Sequence, residues 1–396
     1  MRLSATPGTV SGLAAAPARP RQIHLVAAAR PNFMKVAPLH RALTRLLHRY
    51  APVLVHTGQH YDPDMSEAFF RDLDLPPPDH FLGVGSGTHA EQTAAVLVAY
   101  ERLCRTARPD LVVVVGDVNS TLAAALVAAK LAIPCAHLEA GLRSRDRTMP
   151  EEINRLATDA IADLLWTPST DADANLLAEG APPSRIACVG NLMIDSYEMM
   201  RSRIAADPGP ARYGLARHQY AVVTLHRPAN VDRPDILTTL TTALRRAALR
   251  LDLIFPVHPR TRARLAEFGL LDALTATPGL RMTTPLGYIA FMALVEQARC
   301  VITDSGGVQE ETTYLNIPCL TLRDCTERPV TITEGTNRLI AQDQLGSAID
   351  TVLAGAWPRG RRPRNWDGQA ASRVVASLDR WFAIGDVTSA GDRRAS

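Results

Sequence analysis

Short apolar runs recur along the chain at residues 23–28, 53–56, 111–115, 135–138, 221–225, 253–257, 300–303 and 319–322, with helix-period segments between them. Runs of this length suit strands buried on both faces, and their alternation with helices predicts a doubly wound α/β fold. The runs fall into two sets. The first ends near Val189-Gly190-Asn191, and a polar stretch, Ala206-Asp207-Pro208-Gly209-Pro210, precedes the second. A boundary near residues 190–212 follows, giving two open sheets with a cleft between them. In such sheets ligands bind beyond the carboxyl ends of the strands.

The polar residues obey that rule. Arg30 and Lys35 follow the first run, Gly116-Asp117-Val118-Asn119 the run at 111–115, and Glu139 with Arg143 the run at 135–138. In the second half His226-Arg227, His258 and Asp304-Ser305-Gly306-Gly307 take the same places. A Ser-Gly-Gly turn opening a helix leaves backbone N–H groups at the positive end of the helix dipole, a site for a phosphate. Alone, such a turn is more often an ordinary strand-to-helix connection. With Arg30, Lys35 and Arg328 as cations, a diphosphate becomes a sensible ligand, and Glu311 could accept from ribose hydroxyls. Asp117, Glu139, Glu151 and His226 form the candidate acid/base group, since carboxylates and an imidazole sharing one cleft shift one another's proton affinity. Each also has a plain structural reading. Asp117 could cap a helix, Glu139 could pair with Arg143 or Arg145, Glu151 could complement a helix dipole, and His226 could be structural.

Composition narrows the classes. A chain of 396 residues, 46% hydrophobic, suits two or three domains, and a net charge of +3 with dispersed arginines gives no footprint for nucleic acid. Residues 1–21, rich in Ala and Pro, read as a flexible leader, and 385–396 as a tail. No apolar run approaches the ~18 residues of a membrane span, so no membrane insertion is expected. The six cysteines lack zinc-type spacing and read as reduced thiols of a cytoplasmic protein. No P-loop lysine motif or Gly-x-Gly-x-x-Gly stands at a strand end, so ATP or NAD use has no support.

The ordered motifs Arg30-Pro-Asn-Phe-Met-Lys35, Thr57-Gly-Gln-His-Tyr61, Gly116-Asp-Val-Asn-Ser-Thr121, His137-Leu-Glu-Ala-Gly-Leu-Arg143, Pro150-Glu-Glu-Ile-Asn-Arg155, Thr224-Leu-His-Arg227, Pro256-Val-His-Pro259, Asp304-Ser-Gly-Gly-Val-Gln-Glu-Glu311 and Arg323-Asp-Cys-Thr-Glu-Arg-Pro329 carry a resemblance. From Arg30 to roughly residue 383 the chain resembles the non-hydrolysing UDP-N-acetylglucosamine 2-epimerases. The resemblance implies two Rossmann-like domains of the GT-B kind. These would be an N-terminal domain over 22–195, a UDP-binding domain over 196–365, and a helix over 366–384 packing back on the first. It also implies a homodimer that interconverts UDP-GlcNAc and UDP-ManNAc through elimination of UDP to 2-acetamidoglucal, with no metal or redox cofactor. Carried over by motif, Asp117, Glu139 and Glu151 transfer protons and His226 assists the diphosphate. Arg30, Lys35, Arg143, His258, Phe291, Ser305, Gly306, Gly307, Glu311 and Arg328 are the binding positions. A hydrolysing 2-epimerase, a 2-epimerase of a modified sugar nucleotide, a GT-B glycosyltransferase and a silent binding protein stay open.

The chain departs from the family pattern in four places. Ala28-Ala29 replaces a common Gly-Thr, an acidic residue is missing within Pro228-Ala229-Asn230, and Leu286 stands where a Gln often meets the uracil. At Gln59-His60-Tyr61-Asp62 only part of the pattern of members activated by a second UDP-GlcNAc remains, so weak or absent activation is expected.

Overall fold

A computed structural model of the chain describes residues 19–58, 70 and 72–392. The first sheet holds β1 (Arg21–Ala27), β2 (Tyr50–His56), β3 (His80–Phe81), β4 (Leu111–Val115), β5 (Cys135–Leu138), β6 (Leu164–Thr167) and β7 (Ile186–Cys188). The second holds β8 (Tyr220–Thr224), β9 (Asp252–Pro256), β10 (Leu280–Thr283), β11 (Cys300–Thr303), β12 (Cys319–Thr321) and β13 (Asn337–Leu339). All the strand pairs are parallel, in the orders β3-β2-β1-β4-β5-β6-β7 and β10-β9-β8-β11-β12-β13. The order of each sheet reverses once, between β1 and β4 and between β8 and β11, and at such switch points adjacent loops part to leave a crevice.

Central strands are the legible ones. β4 reads Leu-Val-Val-Val-Val and is buried throughout, because helices cover both faces of a parallel sheet. The strands that apolar runs do not reveal are β3, β6, β7, β10 and β13. β3, β10 and β13 are edge strands with little apolar content, and β7 is a half-buried edge of three residues. β6 is apolar but continues the apolar face of the helix before it, which hides its start.

The expected boundary near 190–212 is largely a helix. Leu192–Ala206 is capped by Asn191, whose side chain accepts from Met193 N at 2.9 Å. It packs on the helix Arg30–Thr44 below the first sheet and on the helices Tyr288–Val295 and Gly306–Leu315 of the second. One hydrophobic cluster therefore runs through both halves, joining Leu25 and Val113 to Tyr197, Val222 and Val301.

The helix Ala370–Asp392 lies against the first half. The buried Asp195 carboxylate accepts from the N–H groups of Ala370 and Ala371 at 3.0 and 2.8 Å, and Ser377 accepts from Trp166 Nε1 at 3.0 Å. At the other end, residues 1–18 of the expected leader lie outside the described residues. Two described residues of the expected leader take part in the fold: Arg19 forms a two-pronged pair with Asp110 at 2.9 Å, and β1 starts at Arg21. All six cysteines are free. Among the described residues no helix is long and apolar enough to cross a membrane.

Burial raises the Asp195 carboxyl to about 6, against the two N–H donors that favour its charge. Its stabilising contribution is thus complete below the unfolded value near 4 and is lost as pH rises through about 6. Asp195→Ala should lower stability by about 1–3 kcal/mol through two orphaned N–H groups. Urea midpoints should show a larger deficit near pH 5 than near pH 8.

Candidate functional site

The second sheet's switch point is organised by Asp304, directly after β11. Its carboxylate is wholly buried and accepts from the backbone N–H groups of His226 and Arg227 and from Asn230 Nδ2, at 2.9–3.1 Å. The same carboxylate holds His226 Nδ1 at 2.9 Å. A carboxylate can only accept here, so Nδ1 carries a proton and Nε2 is left for the cavity that His226 lines. His258 stacks beside His226 with ring centroids 5.7 Å apart, and burial with the neighbouring His226 lowers its proton affinity. Next to Asp304, Ser305 stands at the N-cap position of the helix Gly306–Leu315 without a side-chain bond to its first turn. A Cβ on Gly306 would come within 2.8 Å of Arg328 Nη1 and Glu327 Oε1, so glycine alone lets the arginine lie across the start of this helix.

Opposite stands a buried network of charge. Glu139, after β5, pairs with Lys35 Nζ from the helix that follows β1, and its second oxygen lies 3.6 Å from Arg328 of the second half. Arg328 also pairs with Glu327, and with Glu310 at 2.7 Å. Burial by itself would push Glu139 up, but Lys35 and Arg328 outweigh it and hold the carboxyl below its usual value. Glu310 goes the other way, raised by burial and by Glu139. Asp117, after β4, is raised by burial and by Glu139 against the pull of Arg155 and Lys35. Two neighbouring carboxylates with opposite shifts are what acid/base work near neutrality requires.

The backbone that holds them is unusual. Glu139 has φ +73°, a left-handed conformation that non-glycine residues rarely adopt and that marks functional sites. Gly116 has φ +69°, and a Cβ there would sit 3.4 Å from Glu139 Oε2 and 3.3 Å from Asn32 Nδ2.

A cavity of about 290 Å³ lies between the halves. Of the residues expected from sequence, Lys35, His226, His258, Phe291, Ser305, Gly307, Glu311 and Arg328 line it, and so does Leu286. Glu139 adjoins it through Lys35 and Arg328, and Asp117 feels the charge of the same two cations. The capping role open to Asp117 does not occur: Val118 is the N-cap, and the Asp117 carboxylate pairs with Arg155. Nor does Glu139 pair with Arg143 or Arg145. Glu151 sits in the first turn of the helix Pro150–Ile161, near enough to Arg227 to oppose, in small part, the fall in its proton affinity that burial and Arg323 cause. Arg143, an expected binding position, does not line the cavity. Its guanidinium is buried between Asp159 at 2.8 Å and Glu179 at 2.6 Å, away from the cavity lining, where it braces the loop after β5.

The Arg30 side chain and the segment 59–62, on which the activation argument rests, lie outside the described residues. Of the other departures, Ala28 and Ala29 donate their N–H groups to Asn32 Oδ1, and Asn230 serves Asp304. Sequence reasoning missed Asp304, Glu310, Glu327 and Arg155 as individuals. The first two lie inside the quoted motif around Ser305, but only contacts across the fold show which atoms they hold.

Two doubly wound sheets whose switch points face one charged cleft define an α/β protein of the GT-B-like class. Known proteins narrow this. The family model described as UDP-N-acetylglucosamine 2-epimerase matches residues 45–379. A protein named UDP-N-acetylglucosamine 2-epimerase from Methanocaldococcus jannaschii is 40% identical over 370 residues, covering 90% of this chain and 98% of that one. The UDP-2,3-diacetamido-2,3-dideoxy-D-glucuronate 2-epimerase of Pseudomonas aeruginosa is 37% identical over 362 residues, covering 90% and 99%. The crystal structure of the M. jannaschii UDP-GlcNAc 2-epimerase in complex with UDP-GlcNAc and UDP superimposes with a TM-score of 0.83 at 39% identity, covering 91% of this chain and 99% of that one. The chain belongs to the UDP-N-acetylglucosamine 2-epimerase family.

Arg328→Leu would leave Glu139, Glu310 and Glu327 facing one another without their shared cation, at a cost of about 3–5 kcal/mol. Arg328 holds Glu139 and Glu327 below their usual values. The wild-type gain is therefore present above about pH 4.5 and fades as pH falls through the lower folded values. Thermal melts should show the variant's deficit shrinking as pH is lowered.

Proposed function

We propose that the chain interconverts UDP-GlcNAc and UDP-ManNAc by inverting C2 without hydrolysis. One observation carries this reading: Glu139 is tied through Lys35 and Arg328 to a cavity whose far wall is a glycine-rich helix start and an oriented histidine, and Asp117, shifted the opposite way, lies within reach of the same charges. A GT-B glycosyltransferase would not need that pairing of C2 proton transfer with diphosphate capture.

The diphosphate sits against the N-terminus of the helix Gly306–Leu315 with Lys35 and Arg328, where dipole and cations favour an anion. A carboxylate takes the C2 proton as the C1–O bond breaks, the electron pair leaves on the β-phosphate, and a C1=C2 double bond forms. The C2 hydrogen is not acidified by a carbonyl, so the departing charge has to be stabilised, which His226 Nε2 and the cations do. A second carboxylate returns a proton to the opposite face of C2, and the retained UDP adds back to C1. Asp117, Glu139 and Glu151 supply the carboxylates. As Lys35 and Arg328 turn toward the phosphates, Glu139 loses cationic partners and becomes a stronger base. The same reading makes the chain a cytoplasmic homodimer, which light scattering tests.

Proton NMR of the protein with UDP-GlcNAc in D2O should show deuterium entering C2 together with a UDP-ManNAc signal. Free ManNAc would mean hydrolysis. Exchange confined to a 2,3-diacetamido uronate nucleotide would assign the substrate of the Pseudomonas relative. Absence of exchange with any of these would sink the proposal. Glu139→Gln and Asp117→Asn should each slow exchange by about 10²–10⁴-fold while UDP binding, followed by calorimetry, persists.

Turnover from pure UDP-ManNAc should proceed without added UDP-GlcNAc, because Tyr61 and Asp62 depart from the pattern of activated members. A strict requirement for the added nucleotide would show that activation is retained.

A further inference from the structure

Behind the carboxylates lies a histidine that the mechanism above does not use. His137, in β5, is wholly buried and absent from the cavity lining. Its Nε2 is 2.8 Å from the Gly116 carbonyl oxygen, and its Nδ1 is 2.6 Å from Asp159 Oδ1. A carbonyl only accepts, so Nε2 carries a proton. The other oxygen of Asp159 accepts from Gly141 N at 3.0 Å and meets Arg143 at 2.8 Å, so Asp159 is a carboxylate and Nδ1 carries a proton as well. The ring is charged by the geometry of its partners.

Those partners are informative by position. Gly116 immediately precedes Asp117. Glu139 and Gly141 lie two and four residues beyond His137, on the loop whose backbone is strained at Glu139. Asp159 belongs to the helix Pro150–Ile161, which begins with Glu151 and also carries Arg155, the partner of Asp117. One imidazole thus joins the three segments that bear the proposed proton-transfer groups. Resting on the epimerase reading, we infer that His137 is a positioning residue: a buried imidazolium that locks the Gly116 turn, the Glu139 loop and the Glu151 helix together and keeps a fixed positive charge behind Glu139.

The surroundings agree. Val114 and Leu165, its neighbours on β4 and β6, are apolar, and the groups that face it with charge are Asp159 and Glu139, with Arg143 and then Glu179 beyond Asp159. Burial would drive the proton off, yet Asp159 and the Gly116 carbonyl hold it on, and the charge in turn lowers Glu139.

Nitrogen NMR of protein labelled in its histidine rings tests the charge directly. Both His137 nitrogens should show protonated shifts from about pH 6 to about pH 8, whereas a neutral-ring pattern would overturn the inference whatever the activity proves to be. His137→Gln, which can still donate to Gly116, should lower kcat for C2 exchange about 10- to 100-fold with UDP affinity nearly unchanged. The acidic limb of its kcat profile should move up by about one pH unit as Glu139 loses a nearby cation. Unchanged kcat and profile, or losses of kcat and UDP affinity in step with a loss of thermal stability, would reduce His137 to a packing residue. Wild-type exchange at C2 is the separate control: its absence would remove the epimerase reading and leave the ring's charge to the nitrogen spectrum.

Discussion

Everything at the cleft depends on how Glu139 is held. It is a carboxylate buried in a strained loop, paired with Lys35 from its own half and facing Arg328 from the other. Such a group is costly to bury unless its partners are fixed, and breaking one side of a buried pair costs more than the pair ever contributes. Both sheets are therefore committed to each other at this point. The helix Leu192–Ala206 and the continuous hydrophobic cluster supply the apolar half of that commitment.

The two halves use the same device. In each, a buried carboxylate accepts from the backbone and grips an imidazole: Asp304 with His226 at the switch point of the second sheet, Asp159 with His137 of β5 in the first. The outcomes differ because the free nitrogens meet different partners. His226 Nε2 belongs to a ring that lines the cavity, whereas His137 Nε2 is spent on the Gly116 carbonyl. One pair leaves an imidazole nitrogen for a ligand, and the other leaves only charge and position.

Much of this was legible in the chain. Strands buried on both faces announce themselves as apolar runs, and the residues after each run were the right places to look because a parallel sheet collects its loops at one edge. Lys35, His226, Ser305 and Arg328, read in this way, line the cavity. Arg143 was read in the same way, but its loop position gave no sign that Asp159 and Glu179 would enclose it. Edge strands such as β13, Asn337–Leu339, were lost because a strand covered on one side needs no apolar run.

The order of apolar runs and polar clusters determined the doubly wound class and the two-sheet plan, because strand burial and loop placement follow from local pattern, while the family came from the resemblance of the ordered motifs. Which carboxylate is raised and which is lowered was decided only in three dimensions. Lys35 and Glu139 are 104 residues apart, and His226 and Asp304 are 78 apart. Proton affinity depends on burial and on charges within a few ångströms, and no spacing along the chain states those distances.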